Sequence, residues 1–243
     1  MLTLHVSPGA THDQVMATGA AQRLVSGDSL DQAMYGTALL AGVIDHAREH
    51  GATRLELEVD GAGSIHDDMA TAHGLTLERD LLRMQCDLPV DEPWSLDVRP
   101  FRVGEDETAW LAVNNRAFAW HPEQANRTLE HLLEREAEPW FDPDGFLLHE
   151  RDGHLAGFCW TKVHDDERPR LGEIYVIGVD PDFHGQGLGR PLVLAGLARL
   201  AATGLRDALL YTEADNAPAL AIYESLGFEI VSRHRWWAID LVP

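Results

Sequence analysis

Glu173-Ile-Tyr-Val-Ile-Gly-Val-Asp-Pro-Asp-Phe-His-Gly-Gln-Gly-Leu-Gly189 is the stretch on which the fold turns. Its apolar, β-branched start predicts a strand, and its closely spaced glycines predict a turn. The apolar pattern that follows, residues 191–202, predicts a helix. Strand, glycine turn and helix together make a cradle for an anion. Glycines let backbone N–H groups approach phosphate oxygens, and the new helix aims its unpaired N–H groups and positive dipole end the same way.

Outward from this stretch the chain repeats itself. Residues 204–241 align with 51–88 at a constant offset of 153, placing Gly227 on Gly74, Asp240 on Asp87 and Leu241 on Leu88. Each copy reads as strand, loop, helix, glycine turn and longer strand. Upstream, Gly189 falls on Gly36 and Leu192 on Leu39, but Gly185 and Gly187 fall on Gln32 and Met34, whose side chains obstruct close backbone approach to a phosphate. The first copy also has little chain before it. Residues 1–90 are therefore expected to be a truncated, catalytically silent domain, 91–95 (Asp-Glu-Pro-Trp-Ser) a linker, and 96–243 a complete catalytic domain.

Within that second domain the pattern predicts a strand at 96–101, helices at 106–119 and 126–136, and a hairpin of 145–150 with 154–163. A strand at 172–179, a helix at 188–203, a strand at 208–213 and a helix at 216–225 follow, and strands at 228–232 and 234–241 close the sheet. The class is α/β: a mixed, mostly antiparallel sheet with helices on both faces.

Composition narrows the partners. With 243 residues and 45% hydrophobic content the chain can bury a sizeable core. Its formal net charge of −21 argues against a nucleic-acid partner, which needs clustered Lys and Arg. No apolar run reaches the roughly 18 residues that span a bilayer, and the N-terminus lacks a signal-peptide pattern, so a cytoplasmic protein without a membrane partner is expected. Cys86 and Cys159 fit no disulfide framework or metal knuckle. His121, His149, His154 and His164 fit no ligand spacing, so no metal is expected.

The element order and the glycine loop resemble the GNAT acyltransferase superfamily, whose loop reads Arg/Gln-x-x-Gly-x-Gly/Ala; here His184 takes the first position, ahead of Gly187 and Gly189. Asp215-Asn216 at a helix start and Ala221-Ile-Tyr-Glu-Ser-Leu-Gly-Phe228 are similar to later elements of that superfamily. Further stretches resemble a tandem branch of it with one silent domain: Val113-Asn-Asn-Arg-Ala-Phe118, His121-Pro-Glu-Gln124, Trp140-Phe-Asp-Pro-Asp-Gly145, Thr161-Lys-Val-His164 and Tyr211-Thr-Glu-Ala-Asp-Asn216.

The resemblance implies a GNAT acyltransferase fold, acetyl-CoA as co-substrate, and direct acetyl transfer to a small-molecule amine, in that branch the cysteinyl amine of Cys-GlcN-Ins. It implies Glu173 as general base and Tyr223 as general acid. It gives Ile177, Gly178 and Val179 to the acetyl carbonyl and pantetheine arm, and His184, Gly185, Gln186, Gly187, Leu188, Gly189 and Arg190 to the pyrophosphate. Asn216, Ala217, Pro218, Ala219, Leu220 and Ala221 are expected on the pantetheine, and Glu123, Lys162, Glu173 and Tyr211 on the acceptor. The repeat agrees, because Glu173 and Tyr223 fall on Ala20 and Ala70. Each residue also has a plainer reading: Glu173 as a solvated edge carboxylate, Tyr223 as a core aromatic, Arg190 as surface cover. A monomer or weak homodimer is expected. Two other functions stay open, a GNAT enzyme for another amine (a protein N-terminus or an aminoglycoside-like molecule) and a non-catalytic acyl-CoA-binding protein.

Overall fold

A computed structural model describes residues 2–8, 30–120, 124 and 126–241. Contacts divide the chain into two compact units. One is Met1–Arg83 with Thr212–Asn216 and Ile230–Pro243, and the other is Met84–Tyr211 with Ala217–Glu229.

The first unit holds β1 (Leu2–Pro8), α1 (Leu30–Glu49), β2 (Ala52–Asp60), α2 (Ser64–Ala72), most of β3 (Thr76–Asp87) and most of β9 (Glu229–Asp240). Strand β2 is central, antiparallel to both neighbours, with Leu57 opposite Leu4 of β1 and Trp237 of β9. Alternation turns Leu55, Leu57 and Val59 to one side, where they join Leu40 and Ile44 of α1 and Trp237 in a buried cluster. Arg235 is held between Asp67 and Asp80, at 2.7 and 2.9 Å.

The second unit holds β4 (Arg99–Pro100), α3 (Glu107–Ala117), α4 (Leu129–Glu136), β5 (Phe146–Arg151), β6 (His154–His164), β7 (Leu171–Val179), α5 (Gly189–Ala202), β8 (Asp207–Glu213, up to Tyr211) and α6 (Ala217–Ser225). Its strands run β8-β7-β6-β5-β4, and the end of β3 lies next to β8. One face carries an aromatic core. Phe146 stacks on Phe101 and Trp160 at 4.4 and 4.3 Å, and Trp110 of α3 meets Phe146, Phe158 and Trp160 edge-on. The opposite face is covered by α5. A Cβ on Gly196 of that helix would sit 2.5 Å from Cys159 Sγ and 2.7 Å from Ile174 Cδ1, so only glycine permits the approach.

The repeat survives in three dimensions. At the same offset of 153, α2 coincides with α6 and β3 with β9, residue for residue, and α1 ends where α5 ends. The last strands of the two copies are exchanged, β9 pairing with β2 and β3 lying next to β8, where Leu88 N–H donates to Arg206 O at 2.7 Å. For this reason the contact division does not fall at residues 91–95: those residues follow the end of β3 in the second unit.

Three element expectations change. The strand at 96–101 shrinks to Arg99–Pro100, which pair with Leu148 and Leu147 of β5. Helix α4 starts at Leu129 because Thr128 Oγ1 accepts the His131 N–H and caps it. The two closing strands are one, β9. Of these packing features, Gly196 gives the sharpest test. Gly196→Val is expected to lower stability by about 1–3 kcal/mol through overpacking against Cys159 and Ile174, read as a lower urea midpoint; an unchanged midpoint would show that α5 is not seated this tightly.

Candidate active site

Strand β7 has two neighbours of opposite sense. It is antiparallel to β6 over its whole length, and parallel to β8 only from Gly172↔Ala208 to Ile174↔Leu210. Past that point β7 continues to Val179 and β8 to Glu213 without further paired register. Across β6 the partners step from Trp160↔Val176 to Thr161↔Ile174, so Tyr175 is an extra residue on β7, a bulge. It lies just beyond the point where the β8 ladder stops.

The bulge sorts side chains by face. Glu173 lies opposite Lys162, Val176 opposite Trp160, and Gly178 opposite Phe158, all on the face covered by α3. Glu173 is buried, and His164 Nε2 donates to its Oε2 at 2.7 Å. Lys162 Nζ lies 4.7 Å from the Trp140 ring and 5.6 Å from that of Tyr175. Burial raises the Tyr175 pKa, against the pull of Arg135 and Arg127. Beside Tyr175 a small cleft, with room for only one or two waters, is lined by Trp110, Trp160, Arg127, His131 and Arg135 among others.

The glycine loop follows β7. Asp180 Oδ1 accepts the Asp182 N–H and pairs with Arg116 at 3.2 Å, and His184 Nε2 donates to Val179 O at 3.0 Å. Gly185 and Gly187 both have φ of +74°, and a Cβ on either would meet nothing within 4 Å. Glycine is thus demanded by backbone conformation, and the space beside it is open. Gln186 accepts from Arg151 at 2.7 Å, Leu188 is buried as the residue before α5, and Gly189 packs toward Ile222. The Arg190 guanidinium is engaged elsewhere: it forms two bonds with Glu92 and one with Ser225 Oγ. Only the Arg190 backbone faces the task foreseen for it at the start of α5.

Tyr223 of α6 is buried, edge-on to Phe228 at 5.8 Å, and burial raises its pKa above the ordinary phenol value, with Cys159 adding to the effect. Because Cys159 faces α5, Tyr223 lies toward that face and Glu173 toward the other. Ala217, Pro218, Ala219, Leu220 and Ala221 form the first turns of α6, and Tyr211 on β8 is half exposed. Asn216, in the turn before α6, belongs by contacts to the first unit. Glu123 and His121 lie outside the described residues.

Sequence reasoning missed His164, Tyr175, Trp140 and the basic pocket. Alternation puts His164 on the face of Lys162 and Tyr175 on that of Glu173, and both were available as signals; the bulge that brings Val176 to the same face was not. One trio among the described residues, His46, Glu49 and His50 on exposed turns of α1, has ligand atoms close enough for a metal ion, and it was not among the histidines weighed from spacing.

The acetyltransferase (GNAT) family model matches residues 110–228. A mycothiol acetyltransferase of Streptomyces bingchenggensis is 50% identical over 192 residues, 74% of this chain and 61% of the relative. One of Thermobispora bispora is 45% identical over 215 residues, 85% of this chain and 70% of the relative. The chain thus spans about three fifths of the length of the first of these. Among solved structures, a GCN5-related N-acetyltransferase from Sphaerobacter thermophilus has a TM-score of 0.65 at 21% identity, covering 86% of this chain and 70% of that one. A tandem GNAT protein from the clavulanic acid biosynthesis pathway has a TM-score of 0.54 at 20% identity with the same coverage. Both likenesses show the fold.

The thiols are a direct check on the site's chemistry. Burial pushes Cys159 and Cys86 up to about 12, so almost no thiolate exists near neutrality. Neither thiol is expected to react with Ellman's reagent at pH 8 in the folded protein, and both to react in urea. Since the unfolded thiols ionise near pH ~8.5, they contribute stability that falls as pH rises above that value. Rapid labelling of native Cys159 would contradict the packing against Gly196.

Proposed function

The chain belongs to the mycothiol acetyltransferase family of GNAT acetyltransferases, and from that premise we propose that it transfers the acetyl group of acetyl-CoA directly to the cysteinyl amine of Cys-GlcN-Ins. The observation that carries the reading is the buried Glu173 on β7, backed by His164, next to the point where the β7–β8 ladder ends.

The residues fit the co-substrate. Gly185 and Gly187 leave open space beside backbone that can approach a pyrophosphate, and the N–H groups of the loop and of the first turn of α5 suit its charge. Backbone of Ile177, Gly178 and Val179 lies past the end of the parallel ladder, where an N–H can polarise a thioester oxygen. Acetyl-CoA supplies the acyl group and a thiolate leaving group.

Glu173 takes the proton from the acceptor ammonium. Its Oε2 is occupied by His164, which leaves Oε1 for the task. The freed amine attacks the thioester carbon and forms the new C–N bond, the C–S bond breaks, and the thiolate takes the proton of the Tyr223 hydroxyl; the surplus proton on nitrogen restores the phenol, and Glu173 returns its own proton to solvent. Burial suits both roles. It keeps water from a buried carboxylate, and it keeps the phenol protonated at neutral pH, as an acid must be. In this reading Lys162, over the Trp140 ring, and the half-exposed Tyr211 contact the acceptor. The first copy, with Ala70 at the position of Tyr223, is catalytically silent in this reading.

Glu173→Gln is expected to reduce kcat/KM by about 10²–10⁴ with acetyl-CoA affinity retained, measured by thiol release and equilibrium binding. Activity within about threefold of the parent, under roughly 0.7 kcal/mol of barrier, sinks the base assignment. Tyr223→Phe is expected to lower kcat at least about tenfold. Because burial raises the phenol's pKa, no alkaline fall in kcat from this group is expected up to pH ~10; a fall below that pH which disappears in Tyr223→Phe contradicts its role. Selective turnover of Cys-GlcN-Ins over simple amines and peptide N-termini tests the acceptor; turnover of the others alone removes it.

A further inference from the structure

We propose that His46, Glu49 and His50, at the C-terminal end of α1, hold one divalent transition-metal ion such as Zn²⁺, at a site apart from the acetyl-transfer chemistry. The helix supplies the spacing. His50 N–H donates to His46 O at 3.1 Å, so helical geometry runs through His50 and sets the two imidazoles one turn apart on one face. Their ring centroids are 4.0 Å apart. Glu49 falls beside them, and one ligand atom from each of the three lies within 4.8 Å of the other two. Donors around a zinc ion, with bonds of about 2.0–2.1 Å, sit roughly 3–3.5 Å apart. All three side chains are exposed, so small rotations close that difference without disturbing Ile44 and Ala47, which face the core from the same turns.

Two observations set the trio apart from ordinary surface charge. The first is a positioned ring. His50 Nδ1 donates to His46 O at 2.8 Å, which leaves Nε2 with the free lone pair. A ligating histidine commonly gives its other ring N–H to a carbonyl, which fixes the tautomer and orients the ring. The second is the repeat. At the offset of 153 these residues fall on Arg199, Ala202 and Thr203 at the end of α5, where Arg199 bonds Asp142 and the Asp144 carbonyl. The shared fold thus asks for no ligand set at this helix end. The adjacent cation does not compete, because Arg48 pairs with Asp45 at 3.5 Å. Two imidazoles and one carboxylate suit a borderline ion, whereas Ca²⁺ and Mg²⁺ take oxygen ligands. Water fills the remaining positions. The ion would clamp the last turn of α1 just before Gly51, whose φ of +73° turns the chain into β2.

The test is calorimetric titration of ZnCl₂ into the chelator-stripped full chain. Alongside it run His46→Gln/His50→Gln, the milder His46→Gln and Glu49→Gln, and His154→Gln as a control for the chain's other histidines. All four positions are exposed, and circular dichroism checks that each variant folds. Expected is one equivalent of Zn²⁺ bound by the parent and by the control. A ligand is worth at least as much as the partner that orients it, so the double variant is expected to bind at least about 10–100-fold more weakly, with smaller losses in the single variants. MgCl₂ in place of ZnCl₂ is expected to give no comparable binding. No Zn²⁺ binding by the parent, equal affinity in the parent and the double variant, a loss in His154→Gln as large as in the double variant, or Mg²⁺ bound as tightly as Zn²⁺ overturns the site.

Discussion

Strand β7 is paired along its whole length on one edge and only at its start on the other, and the candidate site lies where the second pairing stops. It is antiparallel to β6 and parallel to β8, so its two edges carry different hydrogen-bond patterns. It keeps the first throughout and gives up the second after Ile174↔Leu210. The Tyr175 bulge is the local expression of this: one extra residue lets Glu173 and Val176 share a face that strict alternation would deny them. The carboxylate, the exposed backbone and the loop then follow in a fixed order along nine residues of strand and the turn behind it.

The packing on either side keeps that geometry rigid. The stack Phe101–Phe146–Trp160, with Trp110 set edge-on, fixes the β6 face from which Lys162 and His164 project. On the other face Gly196 brings α5 against Cys159 and Ile174, and this sets how closely the first turn of α5 approaches the end of β7. A thiol pushed up to about 12 is what such contact produces. Cys159 serves here as a small apolar group.

Much of this was legible in the chain, and the parts that were not have physical causes. The glycine loop announced itself because positive φ, as at Gly185 and Gly187, strongly favours glycine. The repeat was legible because α2 with α6, and β3 with β9, kept their lengths at a constant offset. The exchange of β3 and β9 was not, since pairing partners far apart in sequence leave no mark on local pattern. The extent of β4 was overread because apolar residues at 96–101 suit either a strand or a segment feeding the core, and Pro100 removes a ladder donor. Arg190 was expected on a phosphate or as surface cover from its place in the loop, and local pattern gave no sign that its side chain bonds Glu92, 98 residues away in sequence.

Charge bears on how an acidic chain would hold the anionic co-substrate proposed for it. Coulombic attraction from side chains would need a local surplus of Lys and Arg, and the one arginine in the glycine loop is neutralised by Glu92. What remains is backbone: N–H groups of a loop with open space beside its glycines, and the start of α5. These dipoles are fixed in place by the fold and need no rearrangement on binding, unlike a flexible cation that must be held still.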